Sequence, residues 1–152
     1  MNQTVGRSVS ILYRKYQVYL NKALKPLMLT GAELPFLMVL YKNEGVSQDE
    51  LSQYLMIDKA ATARALQSLI EKGYIYKEKD SLDKRANQIY LLDLAKDNQK
   101  AILRVLEYWH QYLLEGIDKD KVDLFMNVLD FMTNKVLNMD FSTIGGNEDG
   151  KE

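Results

Sequence analysis

Apolar residues recur along most of this chain in steps of three and four, and in a strand-like pattern over only one short stretch. Val5, Val9, Leu12, Tyr16, Tyr19 and Ala23 follow 4-3-4-3-4 spacing, which sets them on one side of a helix from about Val5 to Leu24. Thr30–Glu33 has the Thr-x-x-Glu form of a capping box and predicts a second helix. Pro35 conflicts with that start, because a proline inside a helix lacks a donor and crowds the carbonyl four residues back. The helix therefore starts nearer Leu34 or has a distorted first turn. Phe36, Leu37 and Leu40 form its inward face, and Asn43–Gly45 ends it.

The next stretch carries three start and stop signals in succession. Ser47-Gln48-Asp49-Glu50 is a second capping box, with Leu51 and Leu55 as the buried positions of a short helix. Met56-Ile57 makes a turn. Asp58 caps a following helix, Asp58–Lys72, whose Ala61, Ala65, Leu66, Leu69 and Ile70 pack inward. Gly73 supplies a left-handed stop, and Tyr74 makes the apolar contact that follows such stops. Ile75–Lys79 and Ala86–Leu92 then read as a two-stranded hairpin around the charged tip Asp80–Arg85.

The remainder is helical. Ile102, Leu106, Trp109 and Leu113 share a stripe. After a break at Gly116–Asp118, Val122, Phe125, Leu129, Met132, Val136 and Met139 continue in heptad-like steps. The stripes at the two chain ends exceed what one small winged domain buries, so they predict a homodimer. The expected fold is mainly α with a small β-hairpin wing: a winged helix-turn-helix DNA-binding lobe plus a helical dimerisation lobe. The expected division is 1–30 for an N-terminal helix of the dimerisation lobe and 31–92 for the winged lobe. Residues 93–140 form the C-terminal dimerisation helices, and 141–152 a disordered, glycine-rich acidic tail.

Composition narrows the chemistry. The chain has no cysteine, which removes disulfides and thiolate metal sites and suits a reducing cytoplasm. Its single histidine, His110, leaves no multi-histidine metal site, and no glycine-rich phosphate loop is present. An enzyme, a resident metal and a cofactor are therefore not expected. No apolar run approaches membrane-spanning length, and the first ten residues lack a leader-like apolar segment, so the reading is a cytoplasmic protein without membrane partner. The formal charge of −1 hides a polar distribution. Residues 1–30 carry five basic and no acidic side chains, whereas residues 101–152 carry five basic and ten acidic.

The helix pair and hairpin concentrate the candidate chemistry. Lys59, Ala60, Thr62, Ala63, Arg64 and Gln67 read as the outward face of the second helix of the pair. Small residues there permit close approach to base edges, Thr62 offers a hydroxyl or methyl, and Arg64 and Gln67 suit bidentate contacts to guanine and adenine. The N-terminus of this second helix also favours phosphate, and Ser47, which caps the preceding helix, is counted among the DNA-binding residues. The helix pair alone leaves double-stranded DNA binding and a protein-interaction module equally open. Lys77, Lys79, Lys84 and Arg85 around the hairpin favour DNA, and Asp83 is placed to hold the Arg85 guanidinium or the tip amides.

With these residues in view, the chain resembles the MarR/SlyA family of winged-helix transcriptional regulators over roughly residues 5 to 138. The resemblance rests on Leu29-Thr30-x-x-Glu33, on QDELSQYLMIDKAATARALQSLIEKGYI and on DSLDKRANQIYL, with Asp83-x-Arg85 the most specific piece. It implies a homodimeric, sequence-specific repressor on a pseudo-palindromic operator. Its N- and C-terminal helices would intertwine, with a recognition helix beginning at Lys59–Arg64 in the major groove and Arg85, supported by Asp83, in the minor groove. Two departures stand out. Leu91-Leu92-Asp93-Leu94-Ala95 replaces the family's Leu-Thr-x-x-Gly, which moves the next helix cap to Asp93, and Met56 sits where glycine is frequent. Family members respond to small phenolic or aromatic effectors. Tyr13, Tyr16, Tyr41, Trp109 and His110 could wall such a site and Arg14 could meet a carboxylate, although aromatic residues on helical stripes equally serve as core.

Overall fold

A computed structural model describes residues 3–79, 82 and 87–144 of the chain. The described residues fall into two compact units, up to His110 and from Gln111 onward, with the division inside one long helix. In the first unit, helix α1 (Val5–Ala23) starts where the Thr4 side chain accepts from the Arg7 amide. Its apolar stripe is core only in its second half. Leu20 and Leu24 are fully buried and Tyr16 and Tyr19 partly so, while Val5, Val9 and Leu12 stay about half exposed or more.

Helix α2 (Leu34–Leu40) begins at Leu34, the first of the two outcomes that Pro35 left open. Pro35 then falls in the first turn, where a missing amide has no partner to lose. Glu33 still reaches back to the Thr30 amide at 3.0 Å, so half of the capping box survives as a tether in front of the helix. Strand β1 (Val46–Ser47) leads into helix α3 (Gln48–Leu55), whose capping box is complete. The Glu50 amide donates to Ser47 Oγ at 3.1 Å and the Ser47 amide to Glu50 Oε2 at 2.7 Å. Met56 makes the turn in the left-handed region (φ 56°), a conformation that costs a residue with a Cβ on the order of 1 kcal/mol.

Helix α4 (Lys59–Glu71) is capped by Asp58, whose carboxylate accepts from the Ala61 amide at 2.8 Å. It ends as its sequence predicts, with Gly73 at φ 78° and the Tyr74 amide returning to the Leu69 carbonyl at 2.9 Å. Strands β2 (Ile75–Lys79) and β3 (Asn87–Leu91) pair antiparallel from Ile75↔Leu91 to Lys79↔Asn87. The hairpin has a third member. β1 pairs with the far side of β3 through Val46↔Ile89 and Ser47↔Gln88, giving the order β1-β3-β2. Two residues carry no periodicity, which is why β1 escapes a pattern reading.

Helix α5 (Asp93–Leu114) starts with Asp93 already helical, because the Lys96 amide bonds to the Leu92 carbonyl and Leu92 takes the cap position. Asp93 therefore contributes favourable charge to the first turn rather than the cap expected of it. The core of this unit joins Leu20 and Leu24 of α1, Leu34, Phe36, Leu37 and Leu40 of α2, Leu66 and Leu69 of α4, Ile89 of β3, and Ala95 and Ile102 of α5.

The second unit holds the end of α5, a break at Gly116 (φ 77°) and helix α6 (Lys119–Leu137). None of the residues of α6 is buried; Phe125, Val128, Phe131 and Val136 are about half exposed or more. Phe141–Thr143 of the expected disordered tail forms a short 3-10 turn capped by Asp140, and residues 145–152 lie outside the described residues. Among the described residues no helix is long and apolar enough to cross a membrane.

Candidate nucleic-acid interface

The interface is built from the capped start of α3, the turn at Met56, the face of α4 that the core leaves free, and β2. The local logic on α4 is a division of sides. Thr62, Ala65, Leu66 and Leu69 are buried, so the opposite side, carrying Lys59, Ala60, Arg64 and Gln67, is exposed, with Ala63 half-buried between them. Thr62 corrects the sequence reading. It has no exposed surface, shares the inward face with Leu66 and Leu69, and its hydroxyl points to the Ile57 carbonyl at 3.5 Å. A short polar side chain within an amphipathic pattern suggests an outward position, but here it lines the turn between the helices. The Ser52 hydroxyl donates to the same carbonyl at 2.6 Å and so ties the end of α3 to the turn before α4.

Several cationic and amide groups around this face are already oriented. Lys77 of β2 donates to Gln48 Oε1 at 3.0 Å, tying the wing to the first turn of α3. Lys59 lies 4.0 Å from Asp49 with both side chains mostly in solvent, an arrangement worth under about 1 kcal/mol. Gln67 donates to Glu71 at 3.2 Å. Ser47 is held in its capping box, and Lys79 is exposed at the end of β2. Asp83, Lys84 and Arg85, assigned to the wing tip from sequence, lie outside the described residues.

Behind this face runs a groove of about 800 Å³ between α1, the 30–36 segment and α4. Tyr13, Tyr16 and Gln17 line one wall and Ala61, Arg64 and Ser68 another. Of the six aromatic-site candidates, only Tyr13 and Tyr16 line it. Trp109 backs the wall instead, its ring 5.4 Å from Tyr16 and 5.0 Å from Tyr19. Arg14 and His110 are exposed outside the lining. Tyr41 is elsewhere, its hydroxyl donating to the Ala95 carbonyl at 2.5 Å; burial first, then the nearby Tyr74, pushes that phenol up to about 12. Burial, with Tyr19 second, also raises the Tyr16 phenol, which therefore stays a neutral donor near pH 7.

Residues 29–86 match the MarR family model. A crystal structure of a MarR transcriptional regulator from Methanosarcina mazei Go1 is 33% identical. It superposes with a TM-score of 0.84 over 88% of this chain and 96% of its own. The chain belongs to the MarR family. The HTH-type transcriptional regulator BilQ of Clostridioides difficile (strain CD3) is 29% identical over 118 residues, 77% of this chain and 80% of that protein. A Listeria monocytogenes MarR-family regulator crystallised with a 26mer DNA shares the fold at 21% identity, with a TM-score of 0.82 over 89% and 90% of the two chains.

In this MarR-family transcriptional regulator the winged helix is thus the DNA-binding element, and one further residue organises it. Glu33 is 4% exposed; its carboxylate takes the Ser68 hydroxyl at 2.6 Å and the Lys72 ammonium at 2.6 Å, besides the Thr30 amide. This node binds the entrance of α2 to the last turns of α4. Glu33 and Lys72 stand 39 residues apart, and Glu33 already had a local explanation as a cap, so no sequence signal pointed to the pairing.

Proposed function

We propose that this regulator is a homodimeric repressor that reads a pseudo-palindromic operator, one half-site per subunit. The observation that carries this reading is the free face of α4. Lys59, Ala60, Arg64 and Gln67 project from a helix whose start is capped by Asp58 and whose preceding turn is tied to α3 by the Ser52 hydroxyl. A rigid helix with small residues at its outer end and a guanidinium and amide one turn further suits base edges in the major groove. Ser47 and the lysines of β2 flank it as phosphate contacts. The wing-tip residues Asp83, Lys84 and Arg85 are assigned to the adjacent minor groove, with Arg85 as the inserted side chain.

The winged lobe of residues 31–92 reads the operator, and the helices of residues 1–30 and 93–140 form the dimer. Two separate observations support pairing: the exposed apolar side chains in the first half of α1, and those along α6. A two-fold dimer sets half-sites about one helical turn, roughly 34 Å, apart. The groove behind α4 is assigned to a small aromatic effector, with Tyr13 and Tyr16 as its walls.

Gel-shift titration on the promoter region beside the protein's own gene, at 50 and 200 mM salt, tests the reading. Binding should weaken by at least tenfold at the higher salt, and Arg64→Ala or Arg85→Ala should each weaken it by about 1–3 kcal/mol. Salt-independent binding, or full affinity in both variants, overturns it.

A further inference from the structure

A run of hydrogen bonds leads from helix α1 to helix α4 through Thr30–Glu33, the segment in front of α2. The Asn21 side chain of α1 accepts from the Gly31 amide at 2.8 Å. Gly31 passes so close to α1 that a Cβ there would collide with Gln17 Oε1 and stand 3.3 Å from Leu20 Cβ. The preceding amide, that of Thr30, donates to Glu33 Oε2, and Glu33 Oε1 takes the Ser68 hydroxyl and the Lys72 ammonium from the end of α4. Apolar burial between these elements is non-directional and resists separation more than tilting, whereas hydrogen bonds weaken steeply once their angle is off. Lys59 precedes Ser68 by nine residues, about 14 Å along the helix axis, so a tilt of about 5° at Ser68 moves the Lys59 end by about 1 Å.

We propose that Asn21, Gly31 and Glu33 form a joint that fixes the tilt of α4 against α1, and through it the half-site spacing that the dimer accepts. This rests on α1 belonging to the dimer and α4 reading the operator, and adds what sets the separation of the two readers. In a two-fold dimer the same tilt occurs in both subunits, so both recognition helices shift together. With a stiff joint, a wrongly spaced operator binds only by deforming the DNA or by giving up base contacts. With a loose joint, α4 tilts to follow the bases and the discrimination shrinks. The three residues act through α4 and are positioning residues.

The experiment uses the full chain and three duplexes: the operator that the wild type selects from random-sequence DNA, and that operator with one base pair added or removed between its half-sites. The wild type should bind the selected duplex at least tenfold more tightly than either altered one. Asn21→Ala, at an exposed position, and Ser68→Ala, which leaves Glu33 paired with Lys72, each remove one link and should cut that ratio by about threefold or more. Asn21→Asp keeps an oxygen for the Gly31 amide and should restore the ratio. A purely structural role predicts something else: a lower melting temperature, with affinity for all three duplexes reduced alike and the ratio unchanged, and that result overturns the joint. A wild type that binds the three duplexes equally also overturns it, while leaving the dimeric reader standing. If the wild type selects no two-fold sequence at all, the dimeric operator reading falls and the joint with it.

Discussion

At the scale of single residues, tyrosine hydroxyls hold the junctions of the first unit. Tyr74 is fully buried yet hydrogen-bonded twice, donating to the Leu27 carbonyl at 2.6 Å and accepting from Asn98 at 2.8 Å. Tyr19 donates to the Val105 carbonyl at 2.7 Å, and Tyr41 to that of Ala95. A phenol inside such a site favours its protonated form, which gives stability a pH dependence. The folded Tyr41 pKa, about 12, lies above the ordinary value of 10.0. Its contribution is therefore fully present below pH 10 and is lost as pH rises through about 12. Urea unfolding midpoints should fall between pH 10 and 12, and Tyr41→Phe should flatten part of that fall while costing about 1 kcal/mol at neutral pH for the lost hydrogen bond. An unchanged pH profile in Tyr41→Phe would assign the alkaline loss to the other phenols. Residue roles were the least legible level in the sequence. Thr62 is polar yet buried, so its polarity points the wrong way, and the spacing of Tyr41 says nothing of which neighbour its ring meets.

At the scale of elements, the sequence was read most successfully where the signal is local. Caps at Ser47 and Asp58, the stop at Gly73 and the two hairpin strands all show in short local stretches of sequence, and the structure contains each of them. What depended on distant partners was hidden: β1 needs β3 to be a strand, and Glu33 needs Lys72 from a different helix. That second case has a measurable weight. Lys72→Met leaves a nearly buried carboxylate without its cation and should destabilise the protein by about 2–3 kcal/mol in urea unfolding, reduced from the fully buried case because the Lys72 side chain is 27% exposed. The double variant Lys72→Met with Glu33→Leu should recover part of that loss, since no stranded charge remains. A double variant less stable than either single one would mean that the Thr30 tether, rather than the ion pair, dominates the node.

At the scale of the whole molecule, the pattern of exposure argues for a second copy. Val5, Val9 and Leu12 belong to the stripe whose excess over one small core predicts a dimer, and the chain on its own leaves them about half exposed or more, as it does Phe125, Val128 and Phe131. Soluble proteins seldom leave so many large apolar side chains in rows without a partner. Light scattering at micromolar concentration should return twice the chain mass of 17.6 kDa, and Phe131→Glu should shift the protein toward the monomer with weakened operator binding. A monomeric mass for the wild-type chain rules out the dimer.

The lone tryptophan of the chain sits in the stack that backs the groove wall, with Tyr16 and Tyr19 within about 6 Å. That placement gives the protein a built-in optical reporter. The indole emission shifts to longer wavelength when water replaces the two phenols of α1 around it, so that shift measures whether α1 and α5 remain together. The join can therefore be followed during unfolding with no label attached, separately from the circular-dichroism signal that averages over every helix.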